Sequence, residues 1–249
     1  MRLTGVFDGL CDAALSLVYP RACAACVVRC VESRADGAAC AVCWAETRLF
    51  DGGETLCWKC GALAAASLPE EKRADVRCRR CDAEAFDAAR ACGPYRGALR
   101  ASVLELKREP FVSRRLALLL REARARAPLD TTTLIVPVPL HTERERARGF
   151  NQAALLARAV AGRAGTRVDE LSLRRAAPSE RHRAGMDARA RRESVREAFE
   201  VMRPRLVRGE RVLLVDDVFT TGATVSGCAA ALKAAGALEV FVLTVARAA

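Results

Sequence analysis

The chain has 249 residues, 51% hydrophobic and 29% charged, with a formal net charge of +11. That length allows one large domain or two smaller ones with a buried core, and the basic excess points to anionic partners. No run reaches the ~18 apolar residues of a membrane-spanning helix, and Asp8 and Asp12 break up the apolar region that a secretory leader needs. The expected location is the cytoplasm.

Leu3, Val6, Phe7, Leu10, Ala14, Leu15, Leu17 and Val18 recur at roughly helical spacing. They predict an amphipathic helix over residues 1–20 that packs on the body of the protein. A membrane-surface role is less favoured, because the segment lacks a Lys/Arg-rich polar face.

Eight of the 12 cysteines then fall in four Cys-x-x-Cys pairs: Cys23/Cys26, Cys40/Cys43, Cys57/Cys60 and Cys78/Cys81. Each pair offers two thiolates to one tetrahedral ion, and two pairs close a four-cysteine site with no open position for chemistry. Residues 21–84 therefore read as a double zinc ribbon, a segment with little apolar core that draws much of its folding energy from metal. Sequential pairing is the simplest arrangement, with cross-braced pairing as the alternative; iron–sulfur ligation is the competing chemistry. Cys30 is a substitute ligand candidate, whereas Cys11, Cys92 and Cys228 read as buried thiols. Eight thiolates around two divalent ions remove four charges from the formal net and leave the chain basic.

From residue 85 to 249 the pattern is that of alternating strands and helices. A β segment is expected within Phe86–Tyr95, then two helices, one through Leu99–Leu106 and one over Arg114–Arg126. Lys107 lies at the break between them, either as a phosphate contact or as a solvated helix end. Leu134–His141 reads as a buried strand stopped by Pro137 and Pro139, which cannot donate ladder bonds. A basic loop with Arg144, Arg146 and Arg148 follows, then a helix over Asn151–Ala161. Cations at the carboxyl end of a parallel strand occupy the rim where open α/β sheets bind ligands, and forked guanidinium groups suit pyrophosphate oxygens. Between His141 and Arg211 there are 18 arginines and ten acids. Such a density also suits a nucleic-acid surface. Neither His141 nor His182 has a metal or nucleophile constellation around it.

The most informative stretch is Val212 to Thr224. Val212-Leu213-Leu214-Val215 reads as a buried strand, Asp216 and Asp217 as its end, and Ala223–Ala235 as an Ala-rich helix closed by Gly236. Thr220, Thr221 and Thr224 add hydroxyls to the orphan N–H groups and dipole of the helix amino end, and Gly222 lets backbone approach a phosphate closely. Two carboxylates beside such a cradle can accept hydrogen bonds from a sugar diol. The combination suits a ribose 5-phosphate. A Walker B strand is excluded because its Gly-x-x-x-x-Gly-Lys partner is absent, and a receiver domain because only 32 residues follow Asp217.

Asp-Asp, a short spacer and Thr-Thr-Gly-x-Thr resemble the phosphoribosyl-pyrophosphate (PRPP) signature of type I phosphoribosyltransferases. The four Cys pairs, Tyr95-Arg96-Gly97, Lys107, Pro137-Val138-Pro139-Leu140-His141 and Arg148-Gly149-Phe150-Asn151-Gln152 extend the likeness, in order, to the ComF/GntX family. The resemblance implies an α/β phosphoribosyltransferase-like parallel sheet flanked by helices behind the cysteine-rich segment. It implies Asp216 and Asp217 on the ribose hydroxyls, and PRPP held by Val218, Thr220, Thr221, Gly222, Ala223 and Thr224. Pro137, Val138, Pro139, Arg144, Arg148 and Lys107 join that set, with Mg²⁺ accompanying PRPP. Residues 174–196 would form a lid. Within them Ala177-Pro178-Ser179-Glu180 and Arg192-Glu193-Ser194-Val195 depart from the family's Thr-x-x-Gln and Arg-x-Asn-Val. The implied activity is phosphoribosyl transfer to an unidentified acceptor, with a role in natural transformation. The alternatives are a non-catalytic single-stranded-DNA-binding protein with a vestigial or regulatory PRPP site, and a metal-stabilised adaptor.

Overall fold

The computed structural model describes residues 20–65, 67–162, 165–175 and 198–248. Most of the helix expected over residues 1–20 and most of the expected lid, including His182, lie outside these. Five parallel strands form the central sheet: β3 (Ala88–Ala91), β4 (Leu134–Pro137), β5 (Arg167–Val168), β8 (Arg211–Phe219) and β9 (Glu239–Arg247). Their order is β3-β9-β8-β4-β5, which puts β8 in the centre. Short antiparallel pairs flank it, β1 (Arg21–Ala22) with β2 (Cys30–Val31) and β6 (Leu173–Arg175) with β7 (Phe199–Val201).

Continuous apolar runs make this sheet because both of its faces are covered. On one face Ile135, Leu213, Val215, Phe241, Leu243 and Val245 pack with helices Gly97–Leu106 (α3), Arg114–Arg124 (α4) and Gln152–Ala161 (α6). Alternate residues Leu134, Val136, Val212, Leu214, Val240 and Val242 face the other way, onto helix Ala223–Ala234 (α8) with Phe86, Phe199 and Val207. Helix starts follow their caps. Ser113 Oγ accepts from Leu116 N at 3.3 Å and Asn151 Oδ1 from Ala153 N at 3.0 Å, each satisfying an orphan donor of the first turn.

Three local expectations differ from the structure. The strand expected to end at Asp216 and Asp217 continues to Phe219, because β9 is equally long and pairs with it as far as Phe219 and Arg247. The strand of residue 134 onwards is shorter than expected and stops at Pro137. The basic stretch after it is the helix Thr142–Arg148 (α5), capped by His141, whose Nδ1 accepts from Glu143 N at 3.3 Å. Glu143 and Glu145 in its first turn and Arg146 and Arg148 in its last complement the helix dipole.

Both cysteine-rich units share core with the sheet. Cys23, Cys40, Cys43 and Trp44, on helix Ala41–Glu46 (α1), belong to the first face's cluster; Cys57, Cys60 and Cys81 belong to the second face's. Among the described residues no helix is long and apolar enough to cross a membrane.

Candidate functional site

The carboxyl rim of the sheet gathers the segments singled out in the sequence. Successive side chains of β8 point to opposite faces, so its two acids have different surroundings. Asp217, 7% exposed, receives the Lys107 ammonium at 3.1 Å and Gln152 Nε2 at 3.4 Å, both on Oδ2. Asp216 Oδ1 accepts the backbone N–H of Asp217 at 2.8 Å. Burial, with the neighbouring Asp217 charge adding to it, pushes the Asp216 carboxyl up to about 8. Cys228 in α8 is fully buried, and burial together with the Asp216 charge raises its thiol well above the ordinary range. It is an inert core residue.

Beyond the acids the chain turns at Gly222, which caps α8 with φ +85°. A Cβ there would lie 2.8 Å from the Phe219 ring, so both the backbone angle and the space select glycine. Thr220, Thr221 and Thr224 are exposed around the helix amino end, while Val218 and Ala223 are half-buried. Thr221 Oγ1 accepts from Ala223 N at 3.4 Å.

The 137–152 segment approaches from β4. Pro137 pairs with Val215, and Val138 N donates to Val215 O at 2.9 Å. Pro139 is half-buried. Asn151 Nδ2 ties the incoming helix to Val138 O at 3.1 Å. Arg148 donates to Gln152 Oε1, so Arg148, Gln152, Asp217 and Lys107 form one continuous polar network. Lys107, at the carboxyl end of α3, lies beside the acids with its side chain 36% exposed. Arg144 and Arg146 stand on the exposed surface of α5. Gln152 was not among the predicted site residues. Arg148 ends α5 and Gln152 opens α6, so no helical spacing in the sequence links the two.

The two cysteine clusters are Cys23, Cys26, Cys40, Cys43 and Cys57, Cys60, Cys78, Cys81, each with its sulfurs within 4.8 Å of one another. Pairing is sequential, not cross-braced. A tetrahedral ion with zinc–sulfur bonds of about 2.3 Å requires sulfurs about 3.8 Å apart. Cys23 and Cys43 are 3.7 Å apart, as are Cys57 and Cys81, with Cys60 and Cys78 at 3.5 Å. Backbone N–H groups of Cys40 and Cys78 point at Cys23 and Cys57 sulfur, each at 3.3 Å, as thiolates in such knuckles require. Both donor sets fit a metal ion. Cys30 is exposed and belongs to neither cluster, and the described cysteines form no disulfide.

Residues 151–249 match the phosphoribosyl transferase domain model. The chain is 34% identical over 197 residues to the DNA utilization protein YhgH of Salmonella typhimurium, covering 75% of this chain and 81% of that protein. The chain belongs to the ComF family. Competence protein F of Haemophilus influenzae is 33% identical over 144 residues, 55% of this chain and 60% of that one. Among solved structures, the glutamine PRPP amidotransferase of B. subtilis with ADP and GMP shows 20% identity and a TM-score of 0.37. It covers 59% of this chain, which spans 26% of that one. The family's phosphoribosyltransferase-like sheet and the paired cysteine clusters are therefore both present in this chain.

Proposed function

We propose that the carboxyl rim of the sheet binds PRPP, with Mg²⁺, and that the protein is a phosphoribosyltransferase acting in DNA utilisation. The observation that carries this is the Gly222 turn. Three exposed threonines at a helix amino end stand next to a carboxylate pair, which matches the phosphate and diol ends of one sugar. In this reading the Thr220–Thr224 backbone and hydroxyls hold the 5-phosphate, and Asp216 and Asp217 orient the ribose hydroxyls. Lys107 and Arg148 stabilise negative charge as pyrophosphate departs. The carboxylate oxygens are hard donors of the kind magnesium takes, and the bound ion supplies neutralisation of the leaving group. Little acid–base chemistry is asked of the protein; rate comes from placing the anomeric carbon and stabilising an oxocarbenium-like state. The two cysteine clusters hold structural zinc, and the protein works in the cytoplasm. In this reading residues 1–20 are an amino-terminal segment, 21–84 the ribbon and 85–249 the transferase part.

The test is calorimetric titration of PRPP with Mg²⁺ into the full chain and into the Asp216→Asn/Asp217→Asn variant. Binding that the double substitution abolishes is the expected result; no heat in either protein defeats the proposal. A second reading rests on the exposed Arg144 and Arg146 and on the names of the relatives. It makes the chain a non-catalytic single-stranded-DNA binder. Anisotropy of a labelled oligothymidylate, falling steeply with salt and unaffected by the Asp changes, would favour that reading.

A further inference from the structure

We infer that Arg247 is a positioning residue through which the second four-cysteine cluster holds the Gly222 turn in its anion-binding shape. This rests on the sugar-phosphate reading of that turn. Arg247 ends β9, beside Phe219 at the end of β8. Its guanidinium contacts the cluster and the turn's support at once. Nη1 donates to Cys60 O at 2.6 Å, Nη2 lies 3.8 Å from Cys60 Sγ, and the group stacks 4.3 Å from the centroid of the Phe219 ring. That ring, 4% exposed, is the surface on which Gly222 sits.

Two further links run the same way. Phe86, five residues beyond Cys81, meets Phe219 edge-on at 5.8 Å. Ala85 N donates to Ser226 Oγ at 2.9 Å, and Ser226 N donates to Gly222 O at 2.8 Å. The knuckle itself is anchored on the sheet. Lys59 O accepts from Ala89 N at 2.7 Å, and a Cβ on Gly61 would collide with Ala89 O at 2.5 Å. The second cluster thus grips the Phe219–Ser226 stretch through a stacked cation, an aromatic edge and a hydrogen bond.

The physical case is that of a metal's outer shell. Four thiolates around a divalent ion carry a net double negative charge, and a guanidinium donor on one sulfur offsets part of it. A planar fork can hold a carbonyl, a sulfur and a ring face together; an ammonium cannot. If the ion leaves, Cys60 is freed to move, Arg247 loses its anchor, and the ring under Gly222 loses its cover. Linkage makes the effect reciprocal: a ligand that fixes the turn must strengthen metal retention.

Zinc release from the zinc-loaded full chain to a chromogenic chelator, with and without saturating PRPP and Mg²⁺, tests this. In the wild type the ligand should slow release of one of the two ions about tenfold. Arg247→Ala should speed release of that ion about tenfold without ligand and lose the protection. Arg247→Lys should leave protection lost. Should Arg247→Ala fail to fold, Phe219→Leu keeps the core apolar and should remove the protection while leaving ligand-free release unchanged. Protection that survives in Arg247→Ala or Phe219→Leu overturns the coupling. So does wild-type calorimetry showing PRPP bound while both ions leave at ligand-free rates. Absence of any PRPP heat in the wild type overturns the sugar-phosphate reading, and this inference with it.

Discussion

The two cysteine-rich units look alike in sequence but support different halves of the rim. The first packs on the face carrying α3 and α4. Thr47 Oγ1 accepts from Ala98 N at 2.9 Å, Arg21 pairs with Glu105, and Arg115 bridges to Asp36 at 3.0 Å while stacking 4.8 Å from the Trp44 ring. It therefore secures the helix whose end presents Lys107 to Asp217. The second unit packs on the opposite face and reaches the Gly222 turn. Two cysteine clusters with the same donor chemistry serve as separate props, one under the lysine side and one under the Gly222 turn. Metal ligation would make each unit rigid; where the unit docks decides what that rigidity serves.

Removing one ligand is the harshest way to break the comparison. With zinc in both clusters as proposed, Cys40→Ser and Cys57→Ser should each leave about one zinc per chain and loosen the affected unit, since the bound ion would supply much of its folding energy. Hydrogen exchange should then separate them: protection is lost across residues 97–106 in the first variant and across 85–91 and 223–226 in the second. Equal loss in both regions for both variants would erase the division of labour.

Gly222→Ala attacks the second prop at its end point, forcing a Cβ toward the Phe219 ring at an unfavourable φ. It should cost about 2–3 kcal/mol by chemical denaturation and abolish PRPP binding with both zinc ions retained. Asp216→Asn probes the place where the supports meet. The folded carboxyl titrates near 8, above the unfolded value near 4. Its contribution to stability is therefore full below pH ~4 and lost as the pH rises through about 8. The amide should flatten that slope and, above pH 8, stabilise the chain by about 2 kcal/mol; parallel pH profiles of Tm would contradict it. The smallest effect belongs to the first prop's rim. Arg115→Ala removes a partly exposed ion pair and a stacked cation, at about 1 kcal/mol, and should leave PRPP affinity unchanged within twofold.

Much of this was legible because its signals are local. The Cys-x-x-Cys spacing, the Asn151 cap, the buried run before Asp216 and the glycine at 222 each state a short-range requirement. The extension of β8 to Phe219 was hidden because it depends on the length of a partner strand specified elsewhere. In the stretch that forms helix Thr142–Arg148, charge density masks an acid-then-base order that suits a helix dipole. Gln152 reaches Asp217 across 65 residues of chain and Arg247 reaches Cys60 across 187. Neither pairing leaves a trace in spacing. The fold had to bring them together before either side chain acquired a role.

Sulfurs as close as those of Cys57 and Cys81 have a further consequence. Stripped of its ion, each cluster becomes four neighbouring thiols, the arrangement that oxidants convert most readily into disulfides. Metal starvation and oxidative stress then converge on one lesion, and for the second cluster it would lie beside the turn proposed to seat the sugar phosphate.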